Sequence, residues 1–352
     1  MNDRARNLLT LGASVLLSFL AVEAASRILV GRRTPPGMRF EDRILYTYAP
    51  RTRIQGMVLN DVGCIGDDAL PETAQGGGAE TRVLLLGGST SFSSRYVSSV
   101  KESLQVMHPG SRFRVMSCGR PRYTSWVNRV NLERNAAVWS PDVVVYYEGI
   151  NDNIYNSFPW LDGEPTVGYF DARSLRSSVF LDLLRYHVVD KAVRSVPDFE
   201  NRPLRSPAIY EENVRRIVEM TRSRNAEAVL ATFAIALPTS DERILARVRS
   251  EEAVMRHFWG SVPSTVAGVT AHNLIVEHLA QRLGLPLARV AEAIPHDGDH
   301  FGDICHLTDA GNDILGRIVA AAVQVGPDQG AESRPDPGRP RREAPSAGRH
   351  SP

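Results

Sequence analysis

Cysteine is scarce in this chain: three in 352 residues, at Cys64, Cys118 and Cys305. They form no C-x-x-C pair and no zinc-ligand spacing, and an odd number does not suit a fold stapled by disulfides. Lysine is rarer still, confined to Lys101 and Lys191, so arginine carries the positive charge. No function follows from that bias. Neither sign of charge prevails: the formal net charge is +1. A basic footprint for nucleic acid is therefore lacking, and no nucleic-acid partner is expected. What is present is an ordinary apolar share, 43%, enough to bury a core in one large or two small domains.

Residues 1–80 divide into an apolar run and a junction. Residues 8–30 are apolar apart from Thr10, Ser14, Ser18, Glu23, Ser26 and Arg27, and the run is strongest over 8–22. It is about the length a bilayer span needs, roughly 20 residues. Arg4 and Arg6 precede it, but Arg27, Arg32, Arg33 and Arg39 follow, so charge does not fix an orientation. Glu23 and Arg27 are four apart and can pair on one helix face. Residues 1–33 are expected to be a membrane anchor; a cleaved signal peptide, with small residues around Ala24 to Ser26, is the alternative. Residues 34–80 read as a junction arm punctuated by Pro35, Pro36, Pro50 and Pro71. Short edge strands are expected near 44–48 and 57–59, and a loose segment near 74–80.

From residue 81 to 325 the pattern alternates strand and helix. Strands are expected at 83–86, 112–117, 142–147, 228–235 and 287–290. Helices are expected at 97–107, 126–139, 209–224, 266–283 (stopped by Gly284) and 309–323 (capped by Thr308). This alternation predicts an α/β fold: a three-layer α/β/α sandwich around a parallel sheet. Two insertions, 153–207 and 238–263, follow strand ends and can overhang a site there. The first holds an apolar-faced segment at 179–189, the second a charged helix at 241–258. The tail, 326–352, is rich in Pro, Gly, Arg, Ser and Glu and is expected to be disordered.

The chemistry starts at 82–90, read Arg-Val-Leu-Leu-Leu-Gly-Gly-Ser-Thr. A buried strand ends in two glycines and delivers Ser89 at its carboxyl end, where open α/β sheets present reactive groups. A serine nucleophile needs a base, an acid to orient it, and oxyanion donors. His306 is the candidate base and Asp303, three residues earlier, its orienter; Asp152 is a weaker candidate. Oxyanion donors are sought at strand ends, where Gly119 offers a backbone N–H and Asn151 a side-chain amide. The G-x-S-x-G elbow of the lipase type is excluded because position 91 is Ser. The run His296-Asp297-Gly298-Asp299-His300 is dense in ligand types, but its glycines make it a loop and no second cluster completes it. No metal or cofactor is expected.

Together Gly87-Gly88-Ser89-Thr90, Gly119, Gly149-Ile150-Asn151-Asp152 and Asp303-Ile304-Cys305-His306 resemble the four blocks of the SGNH, or GDSL-type, hydrolases, over roughly 82–323. The resemblance implies a flavodoxin-like sandwich, Ser89 as nucleophile, His306 as base, Asp303 as orienter, and an oxyanion hole from the N–H groups of Ser89 and Gly119 and the Asn151 amide. Gly88 departs from the name-giving pattern, which has Asp there. That Gly-Gly-Ser form is similar to membrane-anchored bacterial members, which carry an N-terminal span and a lead-in like 60–66. The implied function is hydrolysis of an acyl or acetyl ester, of a small molecule, glycan or lipid. An acyltransferase using the same triad, or a non-catalytic assembly protein, are the alternatives. The domain is expected outside the cytoplasm; oligomeric state is left open. The basic segment 120–124 is expected to touch an anionic substrate group. Cys118 and Cys305 read first as two small buried thiols, and a disulfide between them is the alternative if the domain is extracytoplasmic.

Overall fold

Four consecutive apolar residues, Val83 to Leu86, are all buried, and they sit near the middle of a six-stranded sheet. The computed structural model describes residues 3–33, 37–39, 46–69, 80–157, 180 and 203–324. The expectations for the tail, for 74–79 and for all of 179–189 except Phe180 lie outside the described residues.

In chain order the elements begin with α1 (Asp3–Arg33). Four two-residue strands follow, β1 (Met38–Arg39), β2 (Thr47–Tyr48), β3 (Arg53–Ile54) and β4 (Met57–Val58), forming two small antiparallel ladders. The main sheet contains β5 (Ile65–Gly66), β6 (Glu80–Gly87), β7 (Arg112–Ser117), β8 (Val143–Tyr147), β9 (Glu227–Ala231) and β10 (Leu287–Ala288). Between and after them come α2 (Ser94–Met107), α3 (Ser125–Trp139), the short α4 (Ile154–Ser157), α5 (Ser206–Arg222), α6 (Glu242–Phe258), α7 (Val262–Leu283) and α8 (Asp309–Ala322).

The strand order is β10-β9-β8-β6-β7-β5. β6 to β10 are mutually parallel, and counted among themselves they run 2-1-3-4-5, the flavodoxin-like doubly wound order. β5 alone is antiparallel, pairing Ile65 with Ser117 and Gly66 with Met116. The sheet is thus mixed at one edge rather than parallel throughout. Two residues are too few to show a period, which is why the pattern alone does not reveal β5.

Alternation along β6 builds the layers. Val83 and Leu85 face α2 and α8 through Val97, Val100, Leu315 and Val319. Leu84 and Leu86 face the other side, where α3, α5 and α7 supply Leu132, Val218 and Val276. Each such fully buried aliphatic side chain contributes roughly 1.5–3 kcal/mol. Helix ends follow the local sequence. Ser93 caps α2, Thr308 caps α8 by accepting from the Gly311 N–H, and Gly284 ends α7 in the left-handed conformation at φ 60°.

In α1 the stretch Thr10–Leu29 spans 20 residues at mean hydropathy 1.5. Leu11, Val15, Leu16, Leu17 and Leu20 are each more than half exposed. The helix is long and apolar enough to cross a bilayer, a property it shares with signal sequences. Arg27 and Glu23 pair at 2.7 Å.

Candidate active site

The doubly wound order reverses at β6, and in such sheets ligands bind beyond the carboxyl ends of the strands at that switch. Ser89 leaves β6 there, in a single 3₁₀ turn, Ser89–Ser91. Gly87 and Gly88 precede it because there is no room for side chains. A Cβ on Gly87 would run into Ser91 Oγ and the Tyr147 carbonyl, and one on Gly88 into Glu148 Oε2.

His306 arrives from the loop before α8. Its Nε2 lies 2.8 Å from Ser89 Oγ, and its Nδ1 2.6 Å from Asp303 Oδ2. The other Asp303 oxygen accepts the backbone N–H groups of Cys305 at 2.8 Å and His306 at 2.7 Å. The three-residue spacing thus folds into a tight turn that fixes both the carboxylate and the imidazole it serves. The His306 side chain is 45% exposed, that of Asp303 18%. Burial pulls the imidazole down, but the hydrogen bond and charge of Asp303 outweigh it and leave His306 above its ordinary value. Burial likewise works to raise Asp303. The hydrogen bond and charge of His306, with the two backbone N–H groups, prevail and hold it below the usual carboxylate range. Nδ1–H to Asp303 and a free Nε2 lone pair toward Ser89 is the tautomer a general base requires.

Gly119 and Asn151 come to the same place. A Cβ on Gly119 would stand 2.7 Å from Ser91 Cβ and 3.0 Å from the carbonyl oxygens of Gly87 and Gly88. The Asn151 amide nitrogen would lie 2.5 Å from a Cβ on Gly88. Asn151 opens the 3₁₀ turn Asn151–Asn153 after β8, and its Nδ2 donates to the Tyr123 carbonyl at 3.1 Å and to Glu148 Oε2 at 3.2 Å. The structure therefore brings all five sequence-selected residues, Ser89, Gly119, Asn151, Asp303 and His306, to one end of the sheet.

Other expectations are corrected. Asp152 does not approach the histidine: it is buried and accepts from the Ser125 N–H at 2.8 Å and from the Ser125 hydroxyl. Cys118 pairs with Cys64, at a Cα separation of 4.8 Å, and not with Cys305, which is free and buried. The reason is register: Ile65 opposite Ser117 on β5 and β7 puts Cys64 opposite Cys118. Arg120 does not face a substrate. It is 3% exposed, lies 5.3 Å and 5.2 Å from the ring centres of Tyr48 and Phe92, and donates to the carbonyls of Gly119 and Gly63. Arg122 stacks on Phe258 of α6 at 4.4 Å. In the 296–300 loop His300 pairs with Asp297 at 2.7 Å and Asp299 with Arg243 at 2.8 Å. Among the described residues, the group spaced to hold an ion is Asp303, Cys305 and His306, which overlaps the serine–histidine pair.

Sequence reasoning missed two buried polar features. Glu148 is fully buried, and a carboxylate at the end of an otherwise apolar and aromatic strand was the signal available. His272 Nδ1 donates to the Gly149 carbonyl at 2.6 Å and its Nε2 accepts from the Ser206 hydroxyl at 2.8 Å, bracing the turn that carries Asn151. Burial pushes this histidine down to about 4, so it is neutral and donates from Nδ1 to Gly149.

No family model and no curated protein matches the chain. Solved structures do. One is an acetylxylan esterase, Axe2, from Geobacillus stearothermophilus, similar at 16% identity over 69% of this chain and 93% of its own, with a TM-score of 0.43. A lipase/acylhydrolase from Enterococcus faecalis is similar at 15% identity over 68% and 94%, TM-score 0.43. A putative GDSL-like lipase from Parabacteroides merdae is similar at 12% identity over 69% and 94%, TM-score 0.45. These are likenesses of fold. The fold itself stands on this chain's own strand order, and no substrate follows from them.

Proposed function

We propose that this chain is a serine-dependent ester hydrolase that works through an acyl-enzyme. The observation that carries the reading is the continuous relay from Asp303 Oδ2 through His306 to Ser89 Oγ, at 2.6 Å and 2.8 Å. In the first half-reaction Ser89 Oγ attacks the ester carbonyl and its proton passes to His306 Nε2. Asp303 keeps the imidazole oriented and steadies the imidazolium. The carbonyl oxygen, now an anion, is received by the N–H groups of Ser89 and Gly119 and the Asn151 amide. Collapse expels the alcohol, which takes the proton from Nε2 and leaves acyl-Ser89. In the second half-reaction water gives a proton to Nε2 and attacks the acyl group. The carboxylic acid leaves, and the proton returns to Ser89.

The reading extends to place. A helix able to span a bilayer and a Cys64–Cys118 disulfide both suit a catalytic domain tethered to a membrane on its oxidising side. Carbohydrate or lipid esters of the cell envelope are the substrates such a position offers.

The test is hydrolysis of p-nitrophenyl acetate and longer-chain esters by the full chain in detergent, beside Ser89→Ala. Turnover that falls by about 10⁴-fold or more in the variant is expected, with fluorophosphonate labelling of Ser89 in the wild type. A folded wild type that neither hydrolyses any ester nor takes the label would refute the reading.

A further inference from the structure

A buried carboxyl group meets Asn151, one of the proposed oxyanion donors. Glu148 follows β8 and is 0% exposed. Its Oε1 accepts the N–H groups of Ile150 at 2.9 Å and Asn151 at 2.7 Å, while its Oε2 accepts from Asn151 Nδ2 at 3.2 Å. The same Oε2 occupies the space where a side chain on Gly88 would begin. Position 88, next to the nucleophile, is therefore bare because a side chain from the neighbouring strand fills its place.

We propose that Glu148 is a positioning residue of the oxyanion hole: it shapes the turn 149–151 and fixes which way the Asn151 amide points, from the site that the residue before the nucleophile would otherwise fill. This rests on the acyl-enzyme reading above. An asparagine amide can rotate so that oxygen and nitrogen exchange places. Here two acceptors, the Tyr123 carbonyl and Glu148 Oε2, both meet Nδ2. Rotation would set Oδ1 against both oxygens and leave buried acceptors unpaired, which is costly. The amide is thereby held with its donor side toward Gly88 and the adjoining Ser89; its two hydrogens meet Tyr123 and Glu148 in the resting site, and the longer bond, to Glu148 at 3.2 Å, is the one a developing oxyanion takes over. Burial favours the neutral acid form of Glu148, which spares a developing oxyanion a full negative charge nearby. In that form Oε1 still takes both backbone bonds, and the hydroxyl oxygen retains a lone pair for Nδ2.

Glu148→Gln separates the two duties. Its carbonyl can keep the bonds to Ile150 and Asn151, but its –NH₂ cannot accept from Nδ2. The expected result for the full chain in detergent is a cooperative melting transition lowered by only a few degrees, kcat lower by about 10- to 100-fold, and KM within about threefold, because the chemistry lost is transition-state stabilisation. Complete fluorophosphonate labelling on long incubation shows that Ser89 remains competent. A second comparison moves the carboxyl back. Gly88→Asp alone should lose activity, since two carboxyls then compete for one space. Gly88→Asp with Glu148→Ala should recover at least tenfold of the kcat lost in Glu148→Ala alone. Wild-type kcat in a folded Glu148→Gln, or a double variant no better than Glu148→Ala, overturns the assignment. A wild type that neither labels nor turns over strikes the acyl-enzyme reading instead.

Discussion

Breaking the Cys64–Cys118 bond should cost this protein about 4 kcal/mol. The bond joins residues 54 apart. In the chain-entropy treatment, closing a loop of that size removes about 14 cal/mol/K from the unfolded ensemble, which at room temperature is about 4 kcal/mol. The loop it closes contains β5, β6, α2 and β7, and so the turn that carries Ser89. Cys118 also adjoins Gly119, whose carbonyl receives the buried Arg120 guanidinium. The perturbation is Cys64→Ala, with Cys305→Ala as the control that leaves the bond intact. Urea unfolding followed by tryptophan fluorescence measures the loss, and the midpoint should fall by about 1–2 M for a slope of about 2–4 kcal/mol/M, the steeper values that go with a larger chain. In denaturant without reductant, wild type should expose a single reactive thiol, that of Cys305. Equal midpoints for Cys64→Ala and wild type, or three reactive thiols in wild type, would show the reasoning to be wrong.

Asp303→Asn should lower kcat by about 10²- to 10⁴-fold by losing the tautomer and the imidazolium's partner. His306 acts only when unprotonated and its pKa is raised, so the acid limb of kcat/KM in wild type should lie above the ordinary histidine value of about 6.5. In the residual activity of Asp303→Asn the limb should move down; a limb that stays put would mean another group sets it. Stability should follow the two buried acids, which burial pushes up to about 8 at Glu148 and about 7 at Asp152. Their folded-state pKa values lie above the unfolded ones. Their contribution is therefore fully present below about pH 4 and is lost as pH rises toward 8, on the order of a few kcal/mol. Urea midpoints at pH 5 to 9 should fall with pH, less steeply in Glu148→Gln, and parallel slopes would contradict this origin.

What the sequence made legible is what repeats or what ends a strand. Val83 to Leu86, the 143–147 run and the helix periods carry their own signal, and strand–helix alternation predicts a parallel sheet with helices on both faces. The reactive residues sit where β6 and β8 stop, or just before Thr308 caps α8, so position and chemistry pointed the same way. The opaque parts depend on pairing across distance. β5 is two residues long, yet its register alone decides that Cys118 meets Cys64 rather than Cys305. Arg120 reads as a contact for an anionic substrate group until Tyr48, from the junction arm, and Phe92, just after the Ser89 turn, close on it. Glu148 and Gly88 are 60 residues apart, and neither is informative without the other. A glycine before a nucleophile reads as backbone freedom, and a glutamate after a strand as the start of a loop. Only their meeting shows one volume shared between them, where adding a methyl group on one strand must displace a carboxyl on the next. A pattern built from residues adjacent in sequence registers the missing acid at 88 as a loss. The folded chain brings the Glu148 carboxyl, from just after β8, into that space.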